Sequence, residues 1–207
     1  MLGSITPLGE RGRGSTWAVT AAFYIAGSAI AGAAVGAGLG GLGRAIAGMG
    51  SAGSAAPAQT TAWILAAVTS FAVAVDLRAG GLRLPSVERQ VNEEWLYRYR
   101  GWVYGLGFGL QLGTGVVTIV TTAAVYLTWL AALLTASPLA GGAIGLAFGL
   151  GRAAPMLSVA GVRDQSRLLA LDASLRRLEP LSRRMTISAE AALGGSLLAI
   201  LARGTLR

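Results

Sequence analysis

Residues 14–43 read GSTWAVTAAFYIAGSAIAGAAVGAGLGGLG, which is 30 consecutive positions between Arg13 and Arg44 without Asp, Glu, Lys or Arg. A helix needs about 20 apolar residues to cross the ~30 Å hydrocarbon core of a bilayer. Residues 16–41 supply them, and the reading of the whole chain starts from this segment. Two more runs have the same character: 31 uncharged residues separate Arg44 from Asp76, and 51 separate Arg100 from Arg152. The first contains Gly50 to Pro57, a loop composition of Gly, Ser, Ala and Pro, so its span is 59–77. The second breaks at Ala136-Ser137-Pro138 into 102–134 and 138–160. The 33 residues of 102–134 would form about 50 Å of straight helix. That exceeds the core, so the segment must tilt, project or break. Leu112-Gly113-Thr114-Gly115 is its weakest point. A fifth, shorter span is expected at 187–202, with Glu190 in its first turn.

Composition agrees. Of 207 residues, 54% are hydrophobic and 13% charged, against about 25% charged in soluble domains. The expected fold is all-α: one polytopic transmembrane helix bundle over 1–207, with about five spans. The chain has 17 Arg, no Lys, no His and no Cys. It therefore lacks thiol nucleophiles, Ser-His-Asp machinery and the usual zinc, copper and haem ligands. No catalytic residue, metal site or cofactor is expected, and the chain is read as a non-enzyme. The first apolar run is too long for the 7–15-residue core of a cleaved signal peptide.

Arginines set the orientation. Arg11 and Arg13 precede the first span. Arg78, Arg83, Arg89, Arg98 and Arg100 lie between the second and third. Arg163, Arg167, Arg176, Arg177, Arg183 and Arg184 lie between the fourth and fifth. These 13 fall on one side, against Arg44, Arg203 and Arg207 on the other. The bias predicts a multi-pass protein of the cytoplasmic membrane, N-terminus cytoplasmic and C-terminus outside. Trp17, Trp95, Tyr97, Tyr99 and Trp102 fall near the cytoplasmic face and Trp63 and Trp129 near the outer one, as interfacial aromatics do. Between the last two spans, 162–185 reads as an amphipathic helix on the cytoplasmic leaflet. Leu168, Leu171, Leu175 and Leu178 recur at helical spacing among arginines, and Pro180 ends the helix. The basic excess thus implies anionic lipids as partners rather than nucleic acid.

Three spans carry glycines four residues apart: Gly32, Gly36 and Gly40; Gly105, Gly109 and Gly113; Gly141, Gly145 and Gly149. That spacing lets helix backbones approach closely. It serves bundle packing, or a seam that can slide or open. Arg152 lies within the fourth span, where a cation costs ~2.5–3.5 kcal/mol. It either snorkels to the headgroups or faces a polar cavity or the weak point of 102–134. Gln111 and Thr114 are the other deep polar groups. They hydrogen-bond a neighbouring helix or contact a solute at a discontinuous helix. Asp76 and Glu190 are read as interfacial. The tetrapeptide Leu-Gly-Arg-Ala occurs twice, at 42–45 and 150–153. Gly-x-Gly patterns inside spans lack the strand that nucleotide binding requires.

From about Arg100 to Ala202 the chain resembles the transmembrane domain of the CcdA/DsbD cytochrome c biogenesis and thiol-transport family. The resemblance lies in Gly105-Leu106-Gly107-Phe108-Gly109 before a polar break, in residues 145–155 (GLAFGLGRAAP), and in the Arg-rich loop 175–184 (LRRLEPLSRR) before a short last span. It implies a multi-helix scaffold with broken helices. Family members relay electrons through a Cys-Pro pair. Here residues 111–115 (QLGTG) stand where that segment would lie, and no Cys exists, which excludes thiol relay by this chain. Two roles remain. One is a transporter-like protein whose polar path uses Gln111, Thr114 and Arg152. The other is a non-transporting subunit that anchors or assembles a membrane-protein partner. Arg-only, Ala- and Gly-rich usage points to a bacterium with a GC-rich genome.

The arginine bias yields a direct test. Reporter fusions after residue 90 and after residue 175 should both read out as cytoplasmic; a periplasmic signal at either site overturns the five-span order.

Overall fold

The computed structural model describes residues 5–49, 58–77, 98–115 and 122–205. Among them all regular structure is helical: α1 (Pro7–Gly12), α2 (Trp17–Met49), α3 (Ala58–Asp76), α4 (Gly101–Thr114), α5 (Ala124–Leu134), α6 (Pro138–Ala153), a 3-10 helix (Ala154–Gly161) and α7 (Gln165–Thr205). Two compact units divide the chain. The first comprises Met1–Val35, Val87–Ile119 and Gly145–Glu179; the second comprises Gly36–Ser86, Val120–Ile144 and Pro180–Arg207.

Two segments, Trp17–Met49 and Pro138–Gly161, are long and apolar enough to cross a membrane. Three expected elements take another form. The continuous span 102–134 is two helices, of 14 and 11 residues. Helix α4 stops at Thr114 because Gly115 adopts φ +75 and donates its N–H to the Leu112 carbonyl at 3.1 Å. Only glycine enters that left-handed region without a steric penalty. Residues 116–121 lie outside the described residues. Span 138–160 is α-helical only to Ala153 and then tightens to 3-10 geometry, with Pro155 in its first turn. Finally, Pro180 does not end a helix. It sits inside the 41-residue α7, which joins the expected amphipathic segment to the expected last span. Its ring removes one backbone donor, and the turns on either side carry the helix across the gap. Asp164 stands before α7, where its carboxylate accepts from the Arg167 N–H at 2.8 Å. A bond from the Ser166 hydroxyl, and after it the Arg167 N–H bond, hold its pKa below the ordinary carboxylate value.

In the first unit, glycines govern helix contact. A Cβ built on Gly105, Gly109 or Gly113 of α4 would lie 2.5, 2.1 or 2.2 Å from the carbonyl oxygens of Thr20, Tyr24 and Ser28 on α2. Both series climb in the same sense, so α2 and α4 run parallel there. Gly149 and Gly145 of α6 meet Ser28 and Gly32 in the opposite order, so α6 runs antiparallel to α2. The Ser28 hydroxyl donates to the Gly149 carbonyl at 2.8 Å. Tyr24, Tyr104, Phe108, Ala153, Met156 and Val159 fill the core between these helices. In the second unit, Gly141 abuts the Gly36 carbonyl and Gly40 the Ser137 carbonyl. There α3 packs on α5 through Ala72, Ala123, Leu127 and Val68.

The core is mainly apolar, but several polar side chains are buried with it and several large apolar ones are exposed. Thr20, Ser28, Thr69, Glu10, Asp76 and Glu190 are buried, while Leu139 is 85% exposed, Phe71 61% and Ile30 58%.

Glycine contact makes a quantitative expectation. Gly109→Val should destabilise the protein by about 1–3 kcal/mol, the usual cost of overpacking. Gly38→Ala, with no atom within 4 Å of the new methyl, should be neutral or stabilising by about 0.5–1 kcal/mol. Denaturant titration in detergent micelles, followed by circular dichroism, measures both.

Candidate functional site

Arg152 occupies the last turn of α6 in the first unit and is half-buried. Its Nη1 donates to the Gly115 carbonyl at 3.3 Å. That carbonyl lies just past the end of α4. The guanidinium carbon also sits 5.5 Å from the centre of the Phe148 ring, a cation–π distance. Of the two deep polar side chains, Thr114 turns back on its own helix, its hydroxyl donating to the Gln111 carbonyl at 2.8 Å. Gln111 is half-buried one turn earlier. Arg152 therefore meets the backbone at the break, one residue beyond Thr114. The glycine positions named from the sequence fall on helix contacts instead, as described above.

A second constellation, built on Glu10, was passed over in the sequence. Thr6 caps α1, its hydroxyl accepting from the Gly9 N–H at 3.1 Å, and Pro7 opens the helix. Gly14, at φ +66, reverses the chain into α2. The reversal brings Glu10 against two other helices, and its side chain is completely buried. Arg13 Nη2 donates to Glu10 Oε1 at 2.6 Å, the Tyr104 hydroxyl to the same oxygen at 2.5 Å, and the Thr20 hydroxyl to Oε2 at 2.7 Å. Burial alone would lower the Arg13 pKa, but the bonds with Glu10 and Tyr104 outweigh it and hold the guanidinium above its ordinary value. Gly101 closes the site: a Cβ there would lie 2.5 Å from the Thr20 hydroxyl and 3.2 Å from Glu10 Oε2. The only local signal was an Arg three residues after a Glu.

In the second unit, Asp76 and Glu190 are buried. Their exposures are 7% and 5%, and Glu190 lies well inside α7 rather than at a helix start. Asp76 Oδ1 accepts from the Ala123 N–H at 2.9 Å, which caps α5 with a carboxylate. Arg183 donates to the Asp76 carbonyl. Asp76 Oδ2, both Glu190 carboxylate oxygens and the Thr69 hydroxyl have no hydrogen-bond partner among the described residues. Thr69 packs on Gly194, one turn beyond Glu190 on α7. No cluster of three or more His, Cys, Asp or Glu occurs among the described residues.

A cleft of about 690 Å³ opens in the first unit between the α1–α2 turn and the start of α4. It does not reach Arg152, Gln111 or Thr114. No family model, curated protein or solved structure matches the chain.

The Glu10 cluster should be a major stabiliser. Glu10→Ala strands Arg13, Tyr104 and Thr20, and should cost about 3–5 kcal/mol, as breaking a buried pair does. A double-mutant cycle with Arg13→Met, read by denaturant titration, should return a clear coupling energy. Additive losses would mean that the pair contributes nothing beyond packing.

Proposed function

We propose that this chain is a small multi-pass membrane protein of transporter type, with a polar path at the end of α4 and Arg152 beside it. Two helices long and apolar enough to cross a bilayer support the membrane setting, as do buried hydroxyls and carboxylates beside exposed Leu139, Phe71 and Ile30. Lipid rewards that arrangement, since polar groups in a bilayer must find partners within the protein. Helix sense supports the five-span order. With an N-terminus in the cytoplasm, the first and third spans run parallel and the first and fourth antiparallel, as α2, α4 and α6 do in their glycine contacts. The arginine excess then faces the cytoplasm, where anionic lipids bind it. The scaffold is of the type that the CcdA/DsbD resemblance implies, used without thiol chemistry.

The observation that carries the path is the bond from Arg152 to the Gly115 carbonyl at 3.3 Å. An interrupted helix offers backbone groups to a solute, and an arginine beside it cannot be neutralised, so the solute class is a small anion. Unpartnered carboxylate oxygens on Asp76 and Glu190 add support, because ionisable groups within spans mark ion and proton pathways. The second reading, a non-transporting subunit that anchors or assembles a partner, is favoured by one observation: the described cleft does not reach Arg152.

Proteoliposomes of the purified chain, assayed with radiolabelled phosphate, sulfate and succinate, separate the two. Uptake above empty liposomes is expected for at least one anion. Arg152→Leu should abolish it in a protein that still inserts, and Arg152→Lys should restore little, because a point charge does not replace a fork of donors. Undiminished uptake by Arg152→Leu removes the path. Absence of flux for all three anions leaves the subunit reading ahead.

A further inference from the structure

The cleft beside the Glu10 cluster has a chemistry of its own. Arg13, Arg98 and Arg100 line it, together with the hydroxyls of Ser15 and Thr16 and the indole of Trp102. Among the described residues no carboxylate does. Glu10 lies beneath Gly101, and its oxygens already accept from Arg13, Tyr104 and Thr20. With Arg13 balanced by Glu10, Arg98 and Arg100 remain. Both are exposed, and neither has an ion-pair partner among the described residues. Arg100 is the extended residue just before α4. Trp102, half-exposed, rests against Phe23 with ring centres 5.7 Å apart and forms an apolar rim.

We propose that this cleft binds a phosphate anion, held by the forked guanidinium groups of Arg98 and Arg100 and by the hydroxyls of Ser15 and Thr16. Arginine forks match phosphate oxygens two at a time, and two of them without an ion-pair partner among the described residues recruit an anion. The phosphate comes either from an anionic lipid headgroup or from a free solute. The headgroup is the form that suits an aromatic rim at a bilayer interface. The proposal uses none of the residues of the Arg152 path. Its lipid form rests on the membrane reading, whereas its free-phosphate form does not.

The test titrates the full-length protein in dodecylmaltoside micelles with inorganic phosphate, with phosphatidylglycerol and with phosphatidylcholine, following heats of binding. Binding of phosphate or phosphatidylglycerol, and at least about tenfold weaker binding of phosphatidylcholine, is expected. Arg98→Gln with Arg100→Gln should weaken the anion by about tenfold or more, the scale of one lost charge-assisted hydrogen bond. Ser15→Asp, which adds a negative charge to the wall and removes no arginine, should do the same. Arg177→Gln with Arg184→Gln removes equal charge from exposed positions on α7 and should change affinity by less than about twofold. Phosphatidylglycerol binding without phosphate binding assigns the headgroup, and binding of phosphate alone assigns the free solute. Equal losses in the two double variants, or no binding of either anion, overturn the proposal.

Discussion

The contact between backbones on α2 and its neighbours in the first unit governs the rest of that unit. Gly105, Gly109 and Gly113 lie against the carbonyls of Thr20, Tyr24 and Ser28, and Gly145 and Gly149 approach the same helix from α6. Packing of this kind gains dispersion energy from close backbone approach, and it is the kind that holds helices together where the solvent supplies no hydrophobic drive between them. It also admits Cα–H···O contacts, each worth about 0.5–1 kcal/mol. A glycine within a helix costs roughly 0.5–1 kcal/mol against alanine; at Gly105, Gly109, Gly113 and Gly149 close approach offsets that cost, whereas Gly38 has no neighbour within 4 Å of a Cβ.

Close approach has chemical consequences. Because α4 lies against α2 at glycine distance, the Tyr104 hydroxyl and the Thr20 hydroxyl both reach Glu10. A bulkier contact at Gly101 would collide with Thr20 and Glu10. The carboxylate in turn fastens α1, and the Leu8 N–H bonds the Val162 carbonyl at 3.3 Å beyond the 3-10 helix. Buried ion pairs are expensive unless every lone pair is met. Here both oxygens are met, with one charged and two neutral donors.

Arg152 follows another logic. Its partner is the Gly115 carbonyl, just past the end of α4, so the termination of one helix answers the charge carried by another. A buried polar group costs free energy unless it is hydrogen-bonded, and this bond meets part of that need. In the second unit the same need is incompletely met, since Asp76 Oδ2 and the Glu190 oxygens have no donor among the described residues.

Local order was written in the amino acids themselves. Charge-free runs, the Gly113-Thr114-Gly115 weak point and the Ala136-Ser137-Pro138 turn follow from composition and from backbone preferences that act over a few residues. The α4 terminus at Thr114 and the start of α6 at Pro138 fall there. Pro180 shows the limit of such rules: one missing donor does not stop a helix of 41 residues whose flanking turns are intact. What tertiary structure alone decided are pairings between residues far apart in the chain. Glu10 meets Tyr104 across 94 positions, Ser28 meets Gly149 across 121, and Arg152 meets Gly115 across 37. No periodicity specifies which of nine carboxylates or 17 arginines will be buried, because burial depends on which helix faces lie together. That is settled when the glycine contacts bring them there.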